Sequence, residues 1–531
     1  MEARVLAAKM TRDERAGARR VAQILPAALL GIIAFALVLV ITDPPGPGLD
    51  PDALAYMGAA ESVAAHGEYR IPTAKWTSAD STSLLAHFPP AYPTVLALPI
   101  RVGISPAQAA RLVEATAAFV TVATLVLLMS AVVSPSAGIL LVVALFAMTS
   151  MHEVHVSVLS EPLYLSCMVL VLAAMVGAPD RPLRAALPAA VAVMTRYAGA
   201  SLVGAAALWA LVQPGQWLER VRRAAIALAP ALVLQGAWLL RTRAVAGTKE
   251  IRKLALYGDL GPTLEQGGRT LAAWLIPDAG ADHDPMRYRQ GLALAAGLAL
   301  AALVGIGAWR ARRAAHERAE SFAGSSHGDE RALMTWRLFT AASLLLVCYL
   351  GLVGASRIVA DPEIPLDQRI LAPALLLAMT MAATGLTLWW RGTYQRVARV
   401  VVAVALIAWW YAAATATRAN ARYALSWGSD FAGEQWRESE LLAWARDKGA
   451  AAPLYSNWPA AVYFHLHRPA RELPRQSDAR TMAAFADTVR ARGGRVLLFD
   501  VKADDVAPND SLIQARGLHT VERLRDGVVL R

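Results

Sequence analysis

A charge-free apolar run near the N-terminus, VAQILPAALLGIIAFALVLVIT, most constrains how this chain folds. It covers residues 21–42 and follows a basic segment. About 20 apolar residues are enough for an α-helix to cross the hydrocarbon core of a membrane. The run is long for a signal-peptide core, and TDPPGPGLDPD follows it in place of a small-residue cleavage site. We therefore expect a retained first transmembrane helix, preceded by a cytoplasmic basic tail at 1–20.

Similar apolar runs recur along the chain, and the composition agrees with a polytopic α-helical membrane protein. Hydrophobic residues make up 56% of the chain, whereas soluble domains lie near about 45–50%. Cys167 and Cys348 both lie inside apolar runs, so we expect neither a disulfide framework nor a thiolate metal site. The runs predict about 11 transmembrane helices, near residues 21–42, 112–133, 136–151, 161–178, 185–195, 198–212, 224–240, 291–309, 337–355, 370–390 and 398–416.

The distribution of arginines predicts the orientation of these helices. The connections APDRPLR, QPGQWLERVRR, WRARRAAHERAESFAGSSHGDERALMTWR and WRGTYQRVAR are rich in Arg, whereas SMHEVHVSVLS and SRIVADPEIPLDQ contain almost none. Cytoplasmic loops collect Lys and Arg, so the first group is predicted to be cytoplasmic together with the N-terminus. The net charge of +11 then reflects membrane topology, and we expect no nucleic-acid partner. This orientation requires the fifth and sixth spans to be separate, with a turn at Thr195–Arg196–Tyr197.

Three larger segments are then predicted outside the cell membrane: residues 43–111, about 241–288, and 419–531. The first two belong to a transmembrane module at 21–418. The third is predicted to be a small extracytoplasmic α/β domain. It contains an amphipathic helix in GEQWRESELLAWARDKG, strands in AAPLYS and GRVLLFDV, and a hairpin around Asp526–Gly527.

The stretch LDPDALAY places two carboxylates just after the first predicted span. Asp50 precedes Pro51, a pattern that favours Asp50 as the N-cap of a helix with proline at its first position. Asp52 would lie in the first turn, where an acid interacts favourably with the helix dipole. The alternative for these acids is catalytic: a carboxylate at the membrane surface can take a proton from an acceptor group.

Other polar residues at the predicted outer face are further candidates. His87 stands before the double proline of HFPPAYP, and Glu153 and Glu161 follow the third span. The sequence around Glu161 resembles a helix start, which favours a capping role for this acid. His152 and His155 flank Glu153 without the HExxH spacing of zinc enzymes. The cofactor is therefore unknown: the residues are compatible with a divalent metal but do not require one.

Basic residues also lie at predicted outer span ends, where Lys and Arg are normally depleted. One interpretation is that they bind an anionic phosphate. The alternative is that they pair with Asp361, Glu363 or Asp367, or with lipid headgroups. The residues concerned are Arg196 with its neighbour Tyr197, Arg241, Arg243, Arg357 and Arg369.

Several motifs in order resemble the GT-C type membrane glycosyltransferases that use polyprenyl-phosphate sugars. This group includes the bacterial aminoarabinose transferases, the protein O-mannosyltransferases and the rhizobial lipopolysaccharide-core transferases. The resemblance covers most of the chain, to about residue 470. Its motifs are Asp52 to Tyr56 followed by MGAAESVAAHGEYR, then HFPPAYPTVLAL, SEPLYL, TRYAGASLV, AWLLRTRAVAG, DQRILAPALLLA and YSNWPAAVYFHLHRPA.

The resemblance implies an inverting sugar transferase in the cell membrane with its site on the outer face. It implies Asp52 as the catalytic base, by its spacing to Tyr56, with Asp50 assisting and Glu153 as the nearest match to a second acidic position. Pro51 stands between the two acids, where the group has an adjacent Asp-Glu pair. The implied donor is a polyprenyl-phosphate sugar held among membrane lipids. The predicted substrate-binding residues are Tyr56, His87, Glu153, Arg196, Tyr197, Arg241 and Arg369.

Two other classes of function compete with this one. A transporter or flippase of lipid-linked saccharides would show polar groups at mid-membrane and repeated halves, and neither is visible in the sequence. A non-catalytic membrane protein with an outer binding domain would be indifferent to loss of Asp52. The sugar, the polyprenol length and the acceptor have no readable code in the sequence.

Overall fold

The computed structural model describes residues 12–246, 261–277, 327–359, 364–392, 395–449, 451–503 and 506–531, with short pieces between 297 and 313. Six helices in these ranges are long and apolar enough to cross a membrane. They are α1 (Arg12–Ile41), α4 (Pro106–Val132), α10 (Trp217–Ala246), α12 (His327–Val359), α13 (Ala372–Gly392) and α14 (Arg396–Trp427). Helices α5 (Pro135–Phe146) and α6 (Thr149–Val156) meet at a bend of 72° and make a seventh candidate if they form one span.

Three further apolar helices are shorter: α7 (Glu161–Gly177), α8 (Pro182–Thr195) and α9 (Ala200–Val212). The longest of them, α7, has 17 residues. At 1.5 Å per residue it extends about 25 Å, less than the ~30 Å hydrocarbon core. The predicted count of 11 spans is therefore not confirmed, because length and composition support six or seven. The predicted span near 291–309 lies largely outside the described residues.

The fifth and sixth predicted spans are separate helices in the structure. Helix α8 ends at Thr195, Arg196 is extended at φ −147° and ψ 141°, and a 3-10 turn, Tyr197–Gly199, leads into α9. A Cβ atom added to Gly199 would lie 2.3 Å from the backbone nitrogen of Val193. Glycine at this position therefore allows the turn to pack directly against the end of α8.

The helices within residues 12–40, 113–156 and 160–422 belong to one compact unit with a continuous apolar core. Small residues such as Ala186, Ala189 and Ala205 are fully buried there, which lets helix backbones approach closely. Large apolar side chains on α14 face outward instead, among them Val400 and Ile407. This distribution is typical of helices in contact with lipid.

Residues 41–112, 157–159 and the described part of 423–531 form a second compact unit. Its first part contains α2 (Pro51–His66), β1 (Arg70–Ile71), β2 (Thr73–Ala74), β3 (Ser83–Leu84) and α3 (Ala91–Arg101). Its later part contains α15 (Glu434–Arg437), α16 (Glu440–Asp447), β4 (Leu454–Ser456), α17 (Pro459–Leu466), β5 (Ala470–Glu472), α18 (Ala479–Ala491), β6 (Arg495–Phe499), α19 (Asn509–Ile513), β7 (Thr520–Leu524) and β8 (Gly527–Leu530).

A six-stranded sheet with the order β2-β5-β4-β6-β8-β7 organises this second unit. Strands β2, β5, β4 and β6 are parallel, and β8 and β7 add an antiparallel hairpin. The predicted strands and the hairpin at Asp526–Gly527 are thus present. The sequence, however, predicts that 43–111 belongs to the transmembrane module and is separate from 419–531. In the structure β2 pairs with β5, and the Thr73 hydroxyl donates to the Ala470 carbonyl at 2.8 Å.

Candidate functional site

The two acids of LDPDALAY have different roles at the start of α2. The Asp50 side chain accepts a hydrogen bond from the Asp52 backbone N–H at 3.0 Å, and Pro51 is the first helical residue. This confirms Asp50 as the N-cap. The Asp52 carboxylate lies in the first turn and is partly exposed. The role of Asp52 as a general base, with or without assistance from Asp50, stays a prediction.

Tyr56 and His87 differ in their exposure. Tyr56 is only 2% exposed, and its ring lies 4.9 Å from the rings of both Phe88 and Tyr92. Tyr56 is therefore part of the packed interior of this unit. A contact between its side chain and a substrate stays a prediction. His87 is exposed, with its ring edge-on to Phe88 at 4.9 Å.

A buried carboxylate joins two of the predicted phosphate-binding arginines within the first unit. Glu161 is the first residue of α7 and is 1% exposed. Its Oε1 atom lies 2.5 Å from Nη1 of Arg196 and also accepts a hydrogen bond from Nε of Arg369. Arg196 Nη1 donates to the Ser160 hydroxyl at 3.1 Å as well. We call Glu161, Arg196 and Arg369 the arginine–glutamate cluster.

This arrangement differs from the sequence expectations for these residues. The helix does start here, but Ser160 is its N-cap residue, and the Glu161 side chain binds two arginines. Among the proposed partners of the outer arginines, Asp361 and Glu363 lie outside the described residues, and Asp367 accepts from the Ile370 backbone N–H at 2.8 Å. A buried acid is costly unless it is paired, which explains the two guanidinium contacts. An acid inside the apolar SEPLYL segment is the sequence feature that could have predicted a buried, paired carboxylate.

Two tyrosines extend the polar contacts around the cluster. The Tyr164 hydroxyl lies 3.4 Å from the Ser201 hydroxyl, and its ring is 6.1 Å from that of Tyr349. The Tyr349 hydroxyl donates to the Ile370 carbonyl at 2.5 Å. The polar interior therefore links α7, α9, α12 and the turn before α13.

Two other predicted arginines, Arg241 and Arg357, make different contacts. The Arg241 guanidinium carbon lies 4.7 Å from the centre of the Trp238 ring, a cation–π geometry. Arg357 donates to the Thr263 hydroxyl from Nε at 3.0 Å and from Nη2 at 2.7 Å. Tyr197 is 40% exposed. Of the three arginines among the predicted substrate-binding residues, the structure thus joins Arg196 and Arg369 through Glu161 and places Arg241 on Trp238.

Glu153 is an exposed residue of α6 that lines a cleft of about 190 Å³ in the first unit. Its neighbours in the lining include Thr149, Trp274, Gln368 and Asn420, which are not among the site residues predicted from the sequence. These residues come from four distant segments, so no local motif unites them. Within the described ranges, no group of three or more His, Cys, Asp or Glu side chains is arranged to hold a metal ion.

Comparison with known proteins yields structural likeness only. No protein-family model and no curated protein sequence matches the chain. The arabinofuranosyltransferase AftD from Mycobacteria is similar over 94% of this chain and 39% of AftD, at 15% identity and a TM-score of 0.50. ArnT from Cupriavidus metallidurans is similar over 94% of this chain and 97% of ArnT, at 16% identity and a TM-score of 0.46.

A third similar structure is AglB, an archaeal oligosaccharyltransferase from Archaeoglobus fulgidus in complex with an inhibitory peptide and a dolichol-phosphate. The similarity covers 88% of this chain and 69% of AglB, at 11% identity and a TM-score of 0.48. At these identities the likeness concerns the fold. The chain has the fold of the GT-C membrane glycosyltransferases, which confirms the fold that the sequence resemblance implies.

Proposed function

We propose that the protein is an inverting glycosyltransferase that moves a sugar from a polyprenyl-phosphate donor to an extracytoplasmic acceptor. The arrangement at the start of α2 carries this proposal. Asp50 binds the backbone there, so the helix does not depend on the Asp52 carboxylate for its cap. Asp52 is partly exposed and follows the first long apolar helix in the sequence. This is a suitable place for a general base that acts on a membrane-anchored substrate.

The chemistry is a single displacement. An acceptor hydroxyl attacks the anomeric carbon of the donor sugar while the bond from that carbon to the phosphate oxygen breaks. Asp52 takes the proton of the attacking hydroxyl. The polyprenyl phosphate leaves with an additional negative charge, and guanidinium groups can stabilise such a leaving group through charge-assisted hydrogen bonds. Attack from the face opposite the phosphate inverts the anomeric configuration.

Arg196 and Arg369 are the best candidates to bind that phosphate. Both guanidinium groups are held at one buried oxygen of Glu161, and their side chains are 17% and 21% exposed. Arg241, which lies against the Trp238 ring, is a third candidate. The class of donor follows from the sequence resemblance, and the lipid tail would lie beside the outward-facing apolar side chains of the long helices.

The test is a transfer assay with the purified full-length protein in lipid nanodiscs. A panel of radiolabelled polyprenyl-phosphate sugars would be incubated with extracted envelope glycolipids, glycans and proteins. A transferase releases bare polyprenyl phosphate and labels an acceptor, and substitution of Asp52 abolishes both. A flippase would move the intact donor across a vesicle membrane without cleaving it, and that outcome would contradict the proposal.

A further inference from the structure

We propose that the cleft at Glu153 is a binding subsite for a sugar ring. This inference rests on the proposed function, because it assigns part of the substrate to a particular surface. The lining comes from α6, the end of α11 (Gly261–Leu275), the turn before α13, and the C-terminal half of α14. Its volume of about 190 Å³ is far larger than a single water molecule requires, since water occupies ~30 Å³ in the liquid.

A chain of hydrogen bonds orients the polar groups of the cleft. The Trp274 indole N–H donates to the Ser150 hydroxyl at 3.1 Å, and that hydroxyl donates to Oε1 of Gln368 at 2.8 Å. The oxygen of the Gln368 amide is therefore occupied, and its nitrogen makes no hydrogen bond within the described part of the chain. Asn420 also makes no side-chain hydrogen bond to any described residue. Two amide groups are thus available to a ligand.

The chemistry of this lining matches that of a sugar. A sugar hydroxyl both donates and accepts hydrogen bonds, and the cleft is lined by the amide groups of Gln368 and Asn420 together with the carboxylate of Glu153. Trp274 and Pro277 supply apolar surface beside these groups. The C–H face of a sugar ring can pack against such a surface. Small-molecule sites typically combine apolar walls with a few oriented polar groups in this way.

The turn before α13 connects this cleft to the arginine–glutamate cluster. The turn is fixed by Asp367, whose side chain accepts from the Ile370 N–H at 2.8 Å and whose carbonyl accepts from the Leu371 N–H at 3.0 Å. Gln368 and Arg369 are consecutive residues in this turn. Gln368 lines the cleft, whereas Arg369 contacts Glu161. In a sugar phosphate the ring is bonded directly to the phosphate, so neighbouring subsites for the two groups are expected.

The first experiment measures substrate specificity in the cleft variants Asn420→Ala and Gln368→Ala. Gln395→Ala is the matched control, because Gln395 is an exposed amide just before the other end of α14. For each variant, the KM of the donor, the KM of the acceptor, and the inhibition constant of bare polyprenyl phosphate would be determined. Losing one neutral hydrogen bond is expected to raise the relevant KM by about 3- to 10-fold.

The two possible sources of the sugar give different results. If the ring belongs to the donor, donor KM rises in both cleft variants, while inhibition by bare polyprenyl phosphate stays within twofold of wild type. If the ring belongs to the acceptor, acceptor KM rises instead. Unchanged KM values for both substrates in both cleft variants would overturn the proposal.

A second experiment is independent of turnover, so that it separates this inference from the proposed function. Saturation-transfer difference NMR with a panel of methyl glycosides would report direct sugar binding to the full-length protein in nanodiscs. We expect wild type and Gln395→Ala to give a saturation-transfer signal for at least one glycoside. In Asn420→Ala that signal should be at least threefold weaker. That result would support the cleft even if no donor is turned over. No glycoside binding by wild type, or equal binding by Asn420→Ala, would refute the subsite.

Discussion

Among single residues, the contrast between Asp50 and Asp52 is the most direct test of catalysis. A cap needs only a hydrogen-bond acceptor, so Asp50→Asn is expected to be nearly silent, because Asn caps about as well as Asp. A general base needs a titratable oxygen. Asp52→Asn should therefore retain donor binding and lose about 10²–10⁴-fold in turnover. The measurement is a transfer assay combined with donor binding on the same preparations.

Protein stability provides the control for this pair. Asp52→Asn removes a charge from the first turn of α2, which costs at most about 1 kcal/mol of helix-dipole stabilisation. The thermal unfolding midpoint should therefore change little in either variant. An active Asp52→Asn together with an inactive Asp50→Asn would transfer the role of base to Asp50. Full activity of both would mean that neither carboxylate is the base.

The arginines proposed to bind the donor phosphate lead to a second prediction for single residues. Arg369→Ala and Arg241→Ala should weaken donor binding more than acceptor binding. Loss of a charge-assisted hydrogen bond costs roughly 1.5–3 kcal/mol, a ten- to hundredfold change in affinity. The exposed Arg418 on α14 is a matched control, and Arg418→Ala should bind donor normally. Unchanged donor affinity in both test variants would assign these arginines to structural contacts only.

At the level of helices, the break between α8 and α9 depends on Gly199. A Cβ atom there would overlap the α8 backbone at 2.3 Å, whereas a Cβ atom at Gly204 in α9 meets nothing within 4 Å. Gly199→Ala should therefore destabilise the protein by about 1–3 kcal/mol through overpacking. Gly204→Ala should be neutral or slightly stabilising, since alanine favours a helix by up to about 1 kcal/mol. The measurement is the thermal unfolding midpoint of each variant. Equal midpoints for Gly199→Ala and Gly204→Ala would contradict the predicted role of Gly199.

Within the second unit, α17 gives a prediction about pH. His465 Nε2 lies 2.8 Å from the Phe431 carbonyl. Burial lowers the pKa of His465, partly opposed by the bond to Phe431 and reinforced by the charges of Arg446 and Arg437. The unfolded state then binds a proton more readily than the folded state. Stability is therefore full above the unfolded pKa, near 6.5, and decreases as pH falls below it.

The measurement is the unfolding midpoint of the full-length protein between pH 7.5 and 5, followed by tryptophan fluorescence. Of the 15 tryptophans in the chain, Trp436 and Trp458 lie close to Phe431 and contribute a signal from this region. His465→Gln should reduce the loss of stability at acidic pH. His519→Asn is the matched control, because His519 is an exposed histidine of the same unit that is not among the groups acting on His465. A pH dependence identical in wild type and His465→Gln would contradict the assignment.

For the whole molecule, the untested expectation is the orientation in the membrane. We expect the segment that follows α14 to be extracytoplasmic. A reporter that fluoresces only in the cytoplasm should be dark when fused after Arg531 and bright when fused near Gly324. The physical reason is the Arg content of the connections, which favours retention in the cytoplasm. Equal brightness at the two positions would show that the number of crossings between them is even, which would remove support for the outer site.

The parts of the structure that the sequence predicted correctly are local. The Asp50 cap, the turn at Arg196 and the hairpin at Asp526–Gly527 each depend on residues within a few positions of one another. The contacts of Glu161 were not predictable in this way, since they depend on arginines 35 and 208 positions further along the chain. The predicted count of about 11 spans is not confirmed by the described residues, because apolar runs reveal composition, whereas a crossing also requires sufficient helix length.

The pairing of β2 with β5 has a consequence for biosynthesis. Thr73 and Ala470 are separated by 397 residues, so the ribosome completes one partner long before the other. At about 5–20 residues per second, the delay is roughly 20–80 s. During that interval the Thr73–Ala74 segment has been translated without the strand it will pair with. The sheet can therefore close only after α14 has been translated. A prematurely terminated chain would leave residues 41–112, which include Asp52 and β2, without the strands that β2 joins.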